Sequence, residues 1–309
     1  MAETIGSNPA FQHIMESIFE SLEINDLNTC QKVSTYWRRL LENANFWLKN
    51  DKLDESIYGI ASSGNLEALQ FLNTIFPKDK LLEHSLKFQD AFGRKAIHMA
   101  CQEGHLKIVE FLTDSDQLDF LQKQITVNDL LNDWSPFDYA SLFGHVKIVK
   151  HLIQILDHIR TIWIREYENE KYKKLEYKAI GTVCHDAIII GHVEILKVLL
   201  DFDEDMLSKM GYDLSKVIEF AVLNGHFEAL KFLMPHLEEN CFDSDELSDD
   251  LYIRLLNIAA KYKHIDIMKW LILKVSNPLS VSTKLAQEYG CNKIVAFVKL
   301  SVNGSKPHA

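Results

Sequence analysis

Histidine and cysteine are the residues of this chain best suited to chemistry, with thirteen of the first and five of the second in 309 residues. An imidazole can ligate a metal or move a proton near neutral pH, and a thiolate can attack carbon or bind zinc. Their spacing argues for neither. His105, His145, His192 and His226 each directly follow a glycine, and His264 follows Lys263. No His-Glu-x-x-His pair, phosphate-binding glycine loop or nucleophile elbow occurs. Cys30, Cys101, Cys184, Cys241 and Cys291 are far apart, odd in number and without a Cys-x-x-Cys pair. Cys101 and Cys184 lie among alanines and read as small core residues. No catalytic residue, metal site or cofactor is expected, and the chain does not read as an enzyme.

The histidines point instead to the elements that carry them. Gly-His opens a recurring phrase: GHLKIVEFL from Gly104, GHVKIVKHL from Gly144, GHVEILKVL from Gly191 and GHFEALKFL from Gly225. Weaker copies begin at Gly64, Lys263 and Gly290. The spacing drifts while the phrase persists, as expected when only packed helices must repeat and loops vary. Alanine recurs four residues before the key position, at Ala100, Ala140, Ala187, Ala221, Ala259 and Ala286. A small residue there lets two helices approach, and the glycine suits a left-handed helix end. The following helix aligns Leu106, Val109 and Leu112 on an apolar stripe. Each unit reads as helix, tight turn, helix, with no core of its own.

These units resemble the ankyrin repeat. The stretch from Asp90 through Gly93, Ile97, His98, Ala100, Gly104, His105, Ile108 and Val109 to Leu112 follows that family's pattern. His98 and His185 fall on its turn-stabilising histidine, whose ring can bond backbone carbonyls of the adjoining turn. Seven copies span about residues 54–300; only Pro136 fills the turn-proline place, and the last copy reads as truncated. Two insertions interrupt the array. Residues 113–130 show no clear period. Residues 157–180, with Trp163, Tyr167 and Tyr172, read as a prolonged outer helix or a partner-binding finger. Glu238–Asp250 reads as an acidic solvated loop, and the tail, residues 301–309, as disordered.

Residues 8–49 break the repeat. Phe11, Ile14, Ile18 and Leu22 share one helical face, Leu27, Cys30, Val33 and Trp37 a second, and Leu40, Leu41, Phe46 and Trp47 form a third cluster. Three short helices have too little interior to stand alone, so they need a partner or the end of the array. This segment resembles an F-box: Asp26-Leu27, Cys30, Val33-Ser34, Trp37-Arg38, Leu40 and Phe46-Trp47 fall at its spacings, with Asn8 replacing the leading leucine. The other reading is a plain helical cap on the array.

The expected fold is all-α: a three-helix F-box-like module over residues 1–50, then an ankyrin-repeat α-solenoid of about seven repeats over 54–300. The resemblance implies a substrate-receptor subunit of a cullin–RING ubiquitin ligase. Pro9, Ile14, Leu27, Val33 and Trp37 would meet a Skp-type adaptor, and the array would hold a target protein. In the ankyrin pattern the groove-facing places hold Trp134, Leu142, Phe143, Ile189, Ile190, Leu223 and Tyr262. These form an apolar strip that would bind target unless the insertions cover it. An ankyrin scaffold or inhibitor unconnected to ubiquitin is the alternative. The formal charge of −11 argues against nucleic acid and anionic membrane as partners. Isolated cysteines and the lack of an apolar leader lead to the expectation of cytoplasm or nucleus.

Overall fold

Glycine at the end of one helix and a capped start on the next decide the local structure of most of this chain. The structure is a computed structural model that describes residues 22, 24–33, 41, 47–48, 52–115, 118–167, 183–202, 214–240 and 249–304. Among them the regular elements are helices, and there is no strand. The chain divides into two units, Met1–Ala179 and Ile180–Ala309.

In the first unit, helix α1 is Ile24–Val33, α2 Lys52–Ser63, α3 Leu66–Ile75, α4 Lys78–Ser85, α5 Ala96–Gln102 and α6 Leu106–Leu112. Helices α7 Leu118–Thr126, α8 Pro136–Leu142 and α9 Val146–Tyr167 complete it. The inner helices α2, α5 and α8 stack side by side, and each packs on the outer helix that follows it. Asn65 caps α3 by accepting from the Ala68 N–H at 3.0 Å. Ser135 caps α8, whose first residue is Pro136, where a missing N–H costs nothing.

The insertion 113–130 is not irregular. It contains α7, which packs on α8 and α9 and buries Leu121 and Ile125. It repeats the place of α4 one unit earlier, and buried Gln124 donates to Ser85 Oγ at 2.7 Å to join the two. The second insertion begins as the prolonged outer helix expected, since α9 runs to Tyr167. The remainder of that insertion, and the side chains of Trp163, Tyr167 and Tyr172, lie outside the described residues.

The second unit repeats the layering. Residues 183–190 form α10, then come α11 Val193–Phe202, α12 Leu214–Leu223, α13 Phe227–Asn240 and α14 Asp249–Lys261. Helices α15 Ile265–Leu271, α16 Pro278–Tyr289 and α17 Asn292–Gly304 follow. The last pair is a full pair of helices rather than a truncated one, and α17 extends into residues read as tail. Of the acidic segment, Glu238–Asn240 ends α13 and Asp249–Asp250 begins α14; residues 241–248 lie outside the described set.

The alanines four residues before each turn behave as their size requires. Ala100, Ala140, Ala187, Ala221 and Ala259 have no accessible surface, whereas Ala286 is half-buried. Each of the five also accepts, through its carbonyl, from the N–H of the residue after the turn, at 2.8–2.9 Å. That bond closes the helix end around a left-handed residue. The outer stripe is rotated slightly from expectation: Ile108, Val109 and Leu112 are buried, and Leu106 is half-exposed.

Candidate functional site

The Gly-His dipeptide is a joint between successive units. Gly64, Gly104, Gly191 and Gly225 all have positive φ, between 70° and 85°. A Cβ on any of them would stand 2.5–2.6 Å from the ring of the next unit's histidine: His105, His145, His226 and His264 respectively. Each ring then donates from Nε2 to a carbonyl two residues before that glycine. His105 reaches Ser62 at 3.2 Å, His145 reaches Gln102 at 2.8 Å and His264 reaches Leu223 at 3.0 Å. His226 makes the same bond to Ile189. Glycine is needed here twice, for its backbone angle and for the absent side chain. These imidazoles are structural.

A second histidine role sits at the opposite end of the inner helix. His98 is fully buried. Its Nδ1 accepts from the Lys95 N–H at 2.9 Å, and its Nε2 donates to Val127 O at 2.8 Å in the following turn. Burial holds this imidazole below its ordinary pKa. The next unit places Asp138 there, and its carboxylate accepts from both the N–H and the hydroxyl of Ser135. His185, at the corresponding place in the second unit, lies edge-on to Phe220 with ring centroids 5.8 Å apart.

The turns between units are braced by aspartates that the repeat phrase does not reveal. Asp90 accepts from the Phe92 and Arg94 N–H groups at 2.9 Å and from the Tyr58 hydroxyl at 2.8 Å. Asp129 accepts from the Leu131 and Asn132 N–H groups and from the Tyr139 hydroxyl at 2.6 Å. Burial opposes ionisation of both carboxyls, but these donors hold them below the ordinary carboxylate value. Tyr58 is pushed up to about 12 by burial and by its bond to Asp90. Leu130 donates to Phe92 O at 3.0 Å, which ties neighbouring turns together. Leu130 is 76% and Leu131 65% exposed on this tip, and neither stood out in the sequence.

The expected groove residues divide by environment. In the first unit Phe143 is 51% exposed, Leu142 is half-buried, and Trp134 is half-buried edge-on to Tyr139. In the second unit Leu223 is 37% and Tyr262 47% exposed, with Ile189 and Ile190 half-buried. Phe220, missed in the sequence, is also exposed. It occupies the turn of α12 before Leu223, so a helical reading of that face would have found it.

At the N-terminal end, Pro9, Ile14 and Trp37, and the side chain of Val33, lie outside the described residues. Leu27, expected to meet an adaptor, is instead fully buried within the chain; α1 packs on α2 and α3 and uses Leu27 as core. Trp47 is likewise buried, edge-on to Phe71 at 6.3 Å, and its Nε1 donates to Leu41 O. Lys52 donates to Leu22 O at 2.6 Å, and Lys32 pairs with Glu67 at 2.7 Å. The segment and the first helix pair therefore share one core. Removing residues 1–50 would uncover that core instead of leaving an intact array.

The thiols of Cys101 and Cys184 are buried. Burial pushes Cys184 up to about 12 and raises Cys101 as well. Among the described residues no cluster of His, Cys, Asp and Glu is arranged to hold a metal ion. No described helix is long and apolar enough to cross a membrane.

Comparison with known proteins agrees with this architecture. A family model for the F-box domain matches residues 12–49. A model for ankyrin repeats (3 copies) matches residues 57–161. A rice protein (Oryza sativa subsp. japonica) named "Probable E3 ubiquitin-protein ligase XBOS32" is 23% identical over 212 residues, 62% of this chain. The chain spans 38% of that relative's length. The seats formed by Gly64, Gly104 and their histidines lie inside the ankyrin match, and Leu27, Leu41 and Trp47 inside the other. This chain carries an N-terminal F-box domain followed by ankyrin repeats.

Proposed function

We propose that this chain is a substrate-receptor subunit of a cullin–RING ubiquitin ligase. The F-box domain docks a Skp-type adaptor, and through it a cullin. The ankyrin array holds a target protein. The observation that carries this reading is the order of the two domains, an F-box at residues 12–49 and ankyrin repeats from residue 57. The name of the rice relative lends further support. Catalysis is by proximity: holding the target beside the ubiquitin carrier raises their effective concentration, and the bond-making groups belong to other subunits. Pro9, Ile14, Val33 and Trp37 are the proposed adaptor contacts. Leu27, being core, is not among them.

The test is co-purification. Tagged full-length chain should bring down adaptor and cullin together. Ile14→Asp should lose both, because a buried carboxylate replaces an apolar anchor. It should leave the array folded, as read by unchanged protection of its helices from hydrogen exchange. A folded full-length chain that retains neither adaptor nor cullin would overturn the proposal.

A further inference from the structure

One position in the array breaks the rule of the others. Position 263 has the left-handed turn of the glycines, φ 63°, but carries lysine. A side chain fits there because the next unit has Cys291 where the others have the seated histidine, and its thiol donates to Ala260 O instead. Any residue but glycine is strained in this conformation. Among the described residues the Lys263 ammonium has no partner. A cation held in a strained turn and exposed to solvent is available to a ligand.

Its surroundings say what. Tyr262 stacks on His264, with centroids 6.4 Å apart and planes 15° from parallel, and His264 holds Leu223 through its carbonyl. Phe220 and Leu223 lie exposed on α12. Lys261 Nζ stands 5.5 Å from the Tyr262 ring centroid, and Arg254 is largely exposed on the same helix. Glu219 is paired with Arg254 at 3.0 Å, so those two charges offset each other. A chain of net charge −11 thus presents an apolar face with Lys261 and Lys263 beside it.

We propose that this face of the second unit binds an acidic protein segment, one that carries Asp or Glu beside a large apolar or aromatic side chain. The apolar residues give the contact area, and the two lysines supply rotatable donors to carboxylates. The inference rests on the reading of the array as the target-holding part and narrows the class of target.

The experiment uses full-length chain and two fluorescent synthetic peptides. The first alternates Asp and Glu with Leu and Phe, and the second replaces every acidic residue by lysine. The acidic peptide should bind, more weakly as salt rises, and the basic peptide should not. Combining Lys261→Ser with Lys263→Gly should lower affinity roughly fivefold, the effect of two exposed charge contacts. Because Lys263→Gly removes backbone strain, the unfolding midpoint should not fall, so lost binding is not lost folding. Failure of the acidic peptide to bind, equal binding of the two peptides, or unchanged affinity in the double variant would overturn the proposal. Adaptor co-purification is read separately on the same variant. Acidic-peptide binding without adaptor capture would count against the ligase reading and leave this site standing.

Discussion

Replacing Gly104 by alanine should expose the two-fold demand that each joint makes on its glycine. The backbone there has φ 78°, and left-handed alanine costs about 1 kcal/mol. The new Cβ would also stand 2.5 Å from His145 Cε1 and 2.7 Å from Nδ1. The ring must leave its seat, and its 2.8 Å bond to Gln102 O is lost. A net hydrogen bond plus the disturbed packing adds ~1–2 kcal/mol, for a total of ~2–3 kcal/mol. His145→Ala alone loses the same bond. In that background the clash is gone, so Gly104→Ala should cost only the backbone part, about 1 kcal/mol. The double variant should therefore be more stable than the sum of the single losses implies, by ~1–2 kcal/mol. Since a stacked array need not unfold in one step, the local measure is hydrogen exchange at the His145 amide, which donates to Ala140 O at 2.8 Å, alongside urea unfolding. Additivity within about 0.5 kcal/mol would refute the seat as the reason for glycine.

Other outcomes follow from the same contacts. Trp47→Ala should cost ~3–5 kcal/mol and loosen the first helix pair with the F-box segment, seen as exchange of both together; a loss confined to residues before 50 would separate the two cores. Tyr139→Phe removes a 2.6 Å donor from the ionised carboxylate of Asp129 and should cost ~1.5–3 kcal/mol by urea midpoint, with a negligible shift arguing against the brace. His98 has its folded pKa depressed by burial below the ordinary 6.5. Its stabilising share is therefore complete above 6.5 and lost as pH falls through the folded value. His98→Gln should flatten the stability profile in that window, and an unchanged slope would show that another group titrates there. Ala140→Leu should overpack the closed contact between inner helices and cost ~1–3 kcal/mol; no shift in midpoint would mean that the contact yields.

Much of this fold was legible because its joints are written in short phrases. The recurring Gly-His predicted the helix ends, and the alanine four residues earlier predicted a closed contact. What the phrase could not show was the partner of each histidine. Its carbonyl acceptor lies some forty residues away, at a distance that only stacking sets, as His145 to Gln102 illustrates. Helix α7 was missed although Leu118, Leu121 and Ile125 have helical spacing; its aspartate and glutamines hid the period in a helix only nine residues long. The bracing roles of Asp90 and Asp129 were invisible for the same reason as the seats, since Tyr58 reaches Asp90 across units. Leu27 was misread because an apolar residue on a helix shows burial but not what buries it. Of the groove places named from the pattern, Phe143, Leu223 and Tyr262 are exposed and the others half-buried, and the charge around Tyr262 emerged only once Lys263 was seen to occupy a glycine's angle.

The seat of ring on glycine also acts as an interchange standard. A unit ending in a bare left-handed glycine offers the same seat to any following unit that begins with histidine. At the joint of Gly104 and His145 a whole unit could be duplicated or excised and the new ends would still mate. Crossovers between such units preserve this one contact. The joint of Lys263 and Cys291 has left that standard, because a histidine arriving there would meet a side chain. It is a private coupling. The array can be spliced upstream of it, while its last pair of helices is committed to the neighbour it has.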